Sequence, residues 1–219
     1  MSKKYSFLIT AGPTREFIDP VRFISNPSTG KMGYALAQVA IEKGHCATLI
    51  SGPTSLTPPE CVEIVKIISA RDLCKAVLER IHDYDILIMA AAVADYTPKS
   101  FTPKKIKKSD ADMLLELERT ADILKEVGKT GFSGIKVGFA AETDHLEQYA
   151  LSKLKDKRLH IIVANDITRQ GAGFGADTNA VSIFSDRNDR NDIHLKPKRE
   201  VAAYIIDYIV EYIASARPN

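Results

Sequence analysis

Short apolar runs alternate with amphipathic helical stretches along most of the chain. Residues 5–10, 46–51 and 85–92 form apolar runs of the length that is typical of strands. The stretches 31–43 and 71–84 instead carry apolar residues at spacings of three and four, which indicates helices. Strands that alternate with helices are typical of a parallel sheet covered on both faces. The pattern therefore predicts an α/β protein with a Rossmann-like three-layer fold and a mainly parallel sheet.

The remaining segments complete this prediction with residues 1–219 as a single domain. We predict further strands at 62–68, 135–140 and 161–164, a short strand at 113–117, helices at 122–129, 146–157 and 200–214, and a C-terminal antiparallel edge formed by 180–184 and 192–195. In such sheets ligands bind outside the carboxyl ends of the strands. The loops that follow strands there, which are 11–29, 92–110, 141–144 and 165–175, are rich in polar residues and glycine. We therefore expect the functional site on that rim.

Composition and charge remove several classes of function. The 30 basic and 28 acidic residues leave a net charge of +2, so no strong overall field favours nucleic acid or a membrane surface. The three cysteines are far apart and form no CxxC pair, which fits a reducing compartment. The apolar runs are too short to span a bilayer, and the N-terminus leads into a strand without a signal-peptide core. We expect a cytoplasmic protein that binds neither nucleic acid nor membrane.

The segment 24–33, Ile-Ser-Asn-Pro-Ser-Thr-Gly-Lys-Met-Gly, is the first candidate for chemistry. Small and hydroxylic residues such as Ser28 come just before a predicted helix, whose free N–H groups and dipole attract phosphate. Gly30 and Gly33 would allow close approach of a ligand. The alternative is an ordinary helix N-cap at Ser28 or Thr29.

Two strand ends offer a surface for a flat ligand. Alanines fill residues 90–92 and 94, which leaves space beside the backbone, and Asp95 follows with a carboxylate for a ribose hydroxyl, an amide or a metal. Phe139 comes at the end of another predicted strand and is placed to stack on a base, with Glu142 nearby. The alternatives are a packed strand end with a loop aspartate, and an aromatic residue of the core.

Two groups of lysines are candidates for binding phosphate. The segment 98–108 contains five lysines and no acid, so it could close over a polyphosphate and neutralise a leaving pyrophosphate. Lys153 and Lys157 share one helix face at a spacing of four residues. A solvated loop and an exposed helix face are the alternatives.

Taken together, these motifs resemble those of phosphopantothenoylcysteine synthetases (phosphopantothenate–cysteine ligases). The resemblance runs from about Ile9 to the C-terminal helix, and its most specific segments are 11–15, 19–22, 24–33, 91–96, 105–108 and 138–143. In many bacteria this domain follows a flavin-dependent decarboxylase in one chain. That half is not part of the present sequence, so a free-standing enzyme and a domain of a bifunctional protein both remain open, as does association with the decarboxylase.

The resemblance implies a ligase of coenzyme A biosynthesis. Such an enzyme joins 4'-phosphopantothenate to L-cysteine through an acyl-cytidylate, converts CTP to CMP and pyrophosphate, and requires Mg²⁺. It also implies a homodimer, with residues 92–117 as the candidate flap and dimer arm. No metal ligand follows from the sequence.

The resemblance also assigns residues to roles. It implies catalytic roles for Asn26, which holds the acyl-nucleotide intermediate, and for Lys105. An amide suits the role of Asn26 because it can donate to a developing oxyanion. It implies nucleotide binding by Ser28, Gly30, Gly33, Met89, Ala90, Ala91, Asp95, Lys105, Ala121, Asp122, Ile123, Leu124, Phe139, Lys153 and Lys157, and substrate binding by Asn26, Arg22, Ala92 and Asp95. The sequence departs from the family pattern at 120–122, which reads Thr-Ala-Asp where relatives often have Asn-Pro-Asp.

Two other classes of function compete with this interpretation. A dehydrogenase is suggested by Thr-Gly-Lys-Met-Gly at 29–33 and by a YxxxK motif at Tyr149 and Lys153. Against it, a dinucleotide loop should follow the first strand directly, and no acidic residue follows the second strand. A nucleic-acid or partner-binding module using the lysine loop is disfavoured by the nearly neutral charge.

Overall fold

A computed structural model describes residues 3–108, 112–142, 144–166, 168, 171, 173 and 175–215. Its main sheet contains the strands β1 (Ser6–Ala11), β4 (Cys46–Ser51), β5 (Glu63–Lys66), β6 (Ile86–Met89), β9 (Ile135–Glu142), β10 (Ile161–Asp166), β11 (Thr178–Ser185) and β12 (Arg190–Pro197). Their order is β12-β11-β10-β9-β6-β1-β4-β5, and the antiparallel pairings in it are those of β11 with β10 and with β12. The predicted Rossmann-like fold with an antiparallel C-terminal edge is therefore confirmed.

Five helices cover the two faces of this sheet. They are α1 (Lys31–Glu42), α2 (Ala70–Arg80), α3 (Ile123–Lys129), α4 (Leu146–Asp156) and α5 (Lys198–Ser215). Apolar residues of α1 and α5 share one buried cluster with one face of the sheet, and those of α2, α3 and α4 share another with the opposite face. Within the described ranges, no helix combines the length and apolar character that crossing a membrane requires.

The segment 11–29 is not a loop throughout, as predicted, but contains a hairpin. Strands β2 (Arg15–Asp19) and β3 (Arg22–Ser25) pair antiparallel, and the ring centroids of Phe17 and Phe23 lie 5.4 Å apart across the pair. The carboxylate of Asp19 accepts the backbone N–H groups of Val21 and Arg22 and so closes the turn. The many turn-forming residues around these short strands conceal their alternation in the sequence.

A second ribbon lies beside this hairpin. Strand β7 (Tyr96–Pro98) pairs with β8 (Leu117–Arg119) and packs against β2. The predicted strand at 113–117 is therefore displaced, because pairing with β7 begins only at Leu117. The candidate arm at 92–117 includes most of this ribbon, although its residues 109–111 lie outside the described residues.

Candidate active site

A cavity of about 620 Å³ opens at the carboxyl ends of the parallel strands, where the sequence predicts a site. This volume is in the range of small-molecule sites. The predicted residues that line it are Asn26, Ser28, Gly30, Gly33, Met89, Ala90, Ala91, Ala92, Asp95, Ala121, Asp122, Ile123, Leu124, Phe139, Lys153 and Lys157. Motifs that are far apart in the sequence therefore meet around one cavity.

Backbone hydrogen bonds join the end of β1 to the end of β6. The Ala92 N–H donates to the Gly12 carbonyl at 2.9 Å, and the Thr14 N–H donates to the Ala92 carbonyl at 3.2 Å. The Thr14 hydroxyl accepts the Ala94 N–H at 3.0 Å. These bonds hold the alanine-rich segment as a fixed wall of the cavity.

The side chain of Asn26 strengthens the same wall. Its amide nitrogen donates to the carbonyls of Ala92 at 3.2 Å and Val93 at 3.1 Å. An amide nitrogen carries two hydrogens, so both are used. Donation by Asn26 to an oxyanion stays a prediction that would require release of one of these bonds, whereas its Oδ1 atom is an acceptor for a ligand.

The start of α1 forms another wall. Gly30 is the N-cap with φ of 82°, and no side chain caps the helix, so the alternative of a cap at Ser28 or Thr29 is wrong. The N–H groups of the first turn consequently have no partner within the helix and are available to an anion.

Gly33 lines the cavity, and the packing of α1 gives a second reason for its missing side chain besides the predicted approach of a ligand. A Cβ atom there would lie 2.5 Å from Ala11 Cβ and 2.9 Å from the Thr10 carbonyl oxygen. The missing side chain therefore lets α1 pack closely on β1, which fixes the position of the anion-binding turn.

Lys153 in α4 and Lys157 at its C-terminal end line the cavity on the face of the sheet opposite to α1. Lys153 pairs with Glu142 at 3.1 Å, and Lys157, just beyond the end of α4, pairs with Asp122 at 3.5 Å. Each ammonium charge is therefore already compensated by a carboxylate. Phe139 is half-buried, packs against the cluster beneath α1 and α5, and also lines the cavity, so it combines the two interpretations made from the sequence.

The segment around Asp122, where the sequence differs from the synthetases that it resembles, is well anchored. The Thr120 hydroxyl donates to the Ala94 carbonyl at 2.7 Å, and the Thr120 N–H donates to the Asp95 carbonyl at 3.0 Å. Asp122 is the N-cap of α3 and accepts the Lys125 N–H. Thr120 thus connects the start of α3 to the wall formed after β6.

Lys105 and Arg22 are the predicted residues that do not line the cavity. Both lie near the turn of the β2–β3 hairpin, where the buried Asp19 carboxylate accepts the Ile106 N–H at 3.1 Å and pairs with Arg22 at 2.6 Å. Arg22 in turn donates to the Ile106 carbonyl at 2.6 Å. This backbone clamp at Ile106 holds the lysine-rich segment, with the exposed Lys105, away from the cavity.

The clamp strongly favours ionised Asp19. Burial alone would raise the pKa of this carboxyl, but hydrogen bonds from the Val21 N–H and the Arg22 side chain, together with the Ile106 and Arg22 N–H groups, hold it well below its usual value. The turn therefore remains charged throughout the physiological pH range.

Several lining residues were missed by the sequence prediction. They include Lys31, Arg119, Asn165, Asn179 and Lys198. Asn165 follows a predicted strand and could have been found from that position. Lys198 had no such cue, because only the tertiary fold brings the start of the last helix to this rim. Thr143 of the 138–143 motif and residues 167, 169, 170, 172 and 174 of the 165–175 loop lie outside the described residues.

The carboxylates that line the cavity decide which residues could hold a metal ion. Within the described ranges, no three His, Cys, Asp or Glu side chains are grouped closely enough to hold a metal. The lining carboxylates are Asp95 and Asp122, and Asp122 already pairs with Lys157. Since Mg²⁺ in such sites binds one or two carboxylates and the phosphates, exposed Asp95 is the suitable protein ligand.

The dehydrogenase alternative loses support from the geometry. Lys153 of the YxxxK motif lines the cavity, but Tyr149 does not and is 46% exposed. The hairpin β2–β3 also separates β1 from α1, which a dinucleotide-binding turn does not allow.

Comparisons with known proteins agree with this arrangement. The sequence profile of the DNA/pantothenate metabolism flavoprotein C-terminal domain matches residues 2–213. The coenzyme A biosynthesis bifunctional protein CoaBC of Bacillus subtilis (strain 168) is 52% identical over 203 residues, which cover 92% of this chain and 50% of that protein. The chain thus spans about half the length of this curated relative.

Solved structures show the same fold. A crystal structure of the C-terminal domain of CoaBC matches with a TM-score of 0.83 and 41% identity, covering 98% of both chains. A mutant of Cab2 in complex with phosphopantothenate-cysteine matches with a TM-score of 0.80 and 17% identity, covering 98% of this chain and 89% of that one. At this identity the second match supports the fold alone.

Proposed function

The chain belongs to the family of the DNA/pantothenate metabolism flavoprotein C-terminal domain, and we propose that it is the ligase that joins phosphopantothenate to L-cysteine at the expense of CTP. Its relative CoaBC, about half of whose length the chain covers, is a bifunctional protein of coenzyme A biosynthesis. The observation that carries the proposal is the convergence of the family-like motifs around one cavity at the carboxyl rim of the sheet.

The cavity has the chemical parts that activation of a carboxylate by a nucleotide needs. Residues Met89–Ala91 provide a wall on which a cytosine ring can be recognised by backbone groups, because the side chains of Ala90 and Ala91 are small, while Phe139 offers a face for stacking. The uncapped start of α1 provides N–H donors for phosphate. Asp95 provides an exposed carboxylate for the ribose or for Mg²⁺.

The proposed reaction has two steps. A carboxylate oxygen of phosphopantothenate attacks the α-phosphorus of CTP, which forms acyl-cytidylate and breaks the bond to pyrophosphate. The cysteine amine then attacks the acyl carbon, and CMP leaves with the bonding electron pair while the amine loses its proton. Bound Mg²⁺ would supply positive charge beside the leaving pyrophosphate.

The residues of this chain contribute mainly by positioning. Asn26 holds the wall at Ala92 and Val93, and its Oδ1 atom can accept a hydrogen bond from the substrate or from the incoming amine. Lys105 is placed on the lysine-rich segment beside the clamp at Ile106. We assign it to the nucleotide in a closed or dimeric arrangement, because it does not line the cavity of a single chain.

A homodimer is part of the proposal. Large apolar side chains are exposed on the β2–β3 hairpin, on β8 and on the segment between β7 and β8, at Val21, Phe23, Phe101, Met113, Leu114 and Leu117. An apolar surface of this kind marks an interface. The Arg22 side chain on this surface is 41% exposed. In a dimer it could bind the phosphate of the substrate that lies in the cavity of the other subunit. Light scattering should give twice the mass of one chain, and Leu114→Glu should reduce it to that of one chain.

The cellular setting follows from the same proposal. We infer a cytoplasmic enzyme that uses phosphopantothenate and L-cysteine, in the same chain as or in association with a flavin-dependent decarboxylase. No nucleic acid or membrane partner is proposed, because the net charge of +2 gives no field to attract either.

A pyrophosphate-release assay tests this proposal. The protein is mixed with CTP, Mg²⁺ and cysteine, with and without phosphopantothenate, and ATP replaces CTP in a parallel reaction. Release of pyrophosphate only in the presence of the acid, together with formation of phosphopantothenoylcysteine, is expected. Reduction or oxidation of a nicotinamide cofactor without CTP turnover would instead support the dehydrogenase alternative.

A further inference from the structure

Two lysines that the sequence analysis did not assign meet at the end of the cavity beneath α1 and α5. Lys31 is the first residue of α1 and Lys198 is the first residue of α5, and both line the cavity. Lys198 is only 7% exposed, and a lysine buried to this extent needs partners for its ammonium group. The fold therefore brings two helix starts and two ammonium groups to one place.

Both ammonium groups hold the same stretch of backbone across this end. Lys198 Nζ donates to the Ala176 carbonyl at 2.6 Å and the Gly173 carbonyl at 3.3 Å. Lys31 Nζ donates to the Gly175 carbonyl at 3.2 Å and pairs with the Asp177 carboxylate at 2.6 Å. Because the Asp177 side chain is 88% exposed, this pair is readily exchanged for a better anion.

Asn179 adds a polar group directed at the same space. Its side chain lines the cavity although the residue is only 4% exposed. Its Oδ1 atom accepts the Ala180 N–H at 3.1 Å, and its amide nitrogen donates to no residue in the described part of the chain. An amide nitrogen at a cavity that has no protein partner is available to donate to a ligand.

The charge balance differs between the two ends of the cavity. Lys153 and Lys157 are each paired with a carboxylate, which leaves little charge for a triphosphate. At the other end, the carboxylate that pairs with Lys31 is that of Asp177, whose side chain is 88% exposed, against 17% for Glu142 and 32% for Asp122. Burial, followed by the positive charge of Lys31, lowers the pKa of Lys198, so an arriving anion would relieve the repulsion between the two ammonium groups.

We propose that Lys31, Lys198 and Asn179 bind the two terminal phosphates of the nucleotide, which leave together as pyrophosphate. The first turn of α1 and these three side chains then form one continuous phosphate subsite, on the opposite face of the sheet from Lys153 and Lys157. This assignment rests on the proposed use of a nucleoside triphosphate. It places the leaving group at the end of the cavity where the competing carboxylate, that of Asp177, is the most exposed.

Calorimetric titration of CTP, CMP and inorganic pyrophosphate, each with Mg²⁺, tests this assignment. Lys198→Gln should weaken binding of CTP and pyrophosphate roughly 10- to 100-fold, as expected for loss of a hydrogen bond to a charged group, and leave CMP binding unchanged. Lys31→Gln should act in the same direction. Asp177→Asn, which frees Lys31, should preserve or tighten CTP binding.

The chain offers matched controls for both substitutions. Lys136 is also 7% exposed but does not line the cavity, so Lys136→Gln reports the cost of replacing a buried lysine. Lys43 lies at the other end of α1, pairs with Asp207, and has a side chain 33% exposed against 32% for Lys31. Neither control should change the ratio of CTP to CMP affinity.

Several results would overturn the assignment. Equal weakening of CTP and CMP in Lys198→Gln would mean that Lys198 only shapes the cavity. Unchanged pyrophosphate binding, or a rise in KM for phosphopantothenate alone, would place another group at this end. If Lys198→Gln fails to fold, Lys31→Gln decides by the same criteria. A wild-type protein that binds CTP and pyrophosphate but forms no ligase product would refute the proposed function and leave this subsite intact.

Discussion

Replacement of Asn26 by aspartate gives the sharpest test of how the site is held together. In the wild type, both amide hydrogens of Asn26 donate to the carbonyls of Ala92 and Val93. A carboxylate of the same shape has no hydrogen to donate and places negative charge against two carbonyl oxygens. Two hydrogen bonds of about 1 kcal/mol each are lost, and repulsion adds to this. We expect Asn26→Asp to lower the free energy of unfolding by roughly 2–3 kcal/mol for this half-buried residue.

Calorimetry and denaturant titration measure this effect. For a chain of this size, 1 kcal/mol corresponds to roughly 2–4 °C, so Tm should fall by about 4–12 °C. Repulsion by the carbonyls raises the pKa of the new carboxyl in the folded state above its unfolded value of about 3.9. The destabilisation should therefore be small below that value and should grow as the pH rises through the folded pKa.

A matched variant separates this effect from the added charge alone. Asn191→Asp introduces the same group at an exposed position of β12 and should leave Tm nearly unchanged. The reasoning is refuted if Asn26→Asp keeps the wild-type Tm at neutral pH while losing ligase turnover. Asn26 would then act on the ligand and not on the wall at Ala92 and Val93.

Three further substitutions test other parts of the account. Lys105→Gln should reduce product formation without lowering Tm, whereas its neighbour Lys104→Gln should change neither; a fall in Tm with Lys105→Gln would point to a structural role. Asp19→Asn should lower Tm at neutral pH, because the depressed pKa of Asp19 stabilises the fold above its unfolded value of 3.8, and the difference from wild type in urea titrations should shrink as the pH falls below it. Gly33→Ala should cost roughly 1–3 kcal/mol, since its Cβ would overlap Ala11, and unchanged stability would show that α1 can shift away from β1.

The sheet was predictable because its signals are local. Continuous apolar runs such as Ile86–Met89 and the periodic pattern of Lys31–Glu42 depend on burial alone, and both appear where the sequence indicates them. The hairpin Arg15–Ser25 was missed because its strands are short and stabilised by the Asp19 carboxylate and the Phe17–Phe23 contact. Such contacts leave no periodicity in the sequence.

The sequence predicted the site residues that follow strands but not those that only the packing of helices brings to the cavity. Residues in motifs that follow strands, such as Asn26, Asp95 and Phe139, meet at the cavity because the topology places strand ends on one rim. Lys198 was not found, since its position depends on how α5 packs against α1. The direction of the Asn26 hydrogen bonds was also beyond the sequence, because it depends on the path of residues Ala92 and Val93.

The fate of the carboxylate oxygen tests the central claim most directly. Phosphopantothenate labelled with heavy oxygen in its carboxylate is turned over with CTP, Mg²⁺ and cysteine, and the nucleotide products are analysed by mass spectrometry. Attack on the α-phosphorus predicts one labelled oxygen atom in CMP and none in pyrophosphate. Label in inorganic phosphate together with formation of CDP, or CMP without label, would contradict the acyl-cytidylate and with it the proposed role of this cavity.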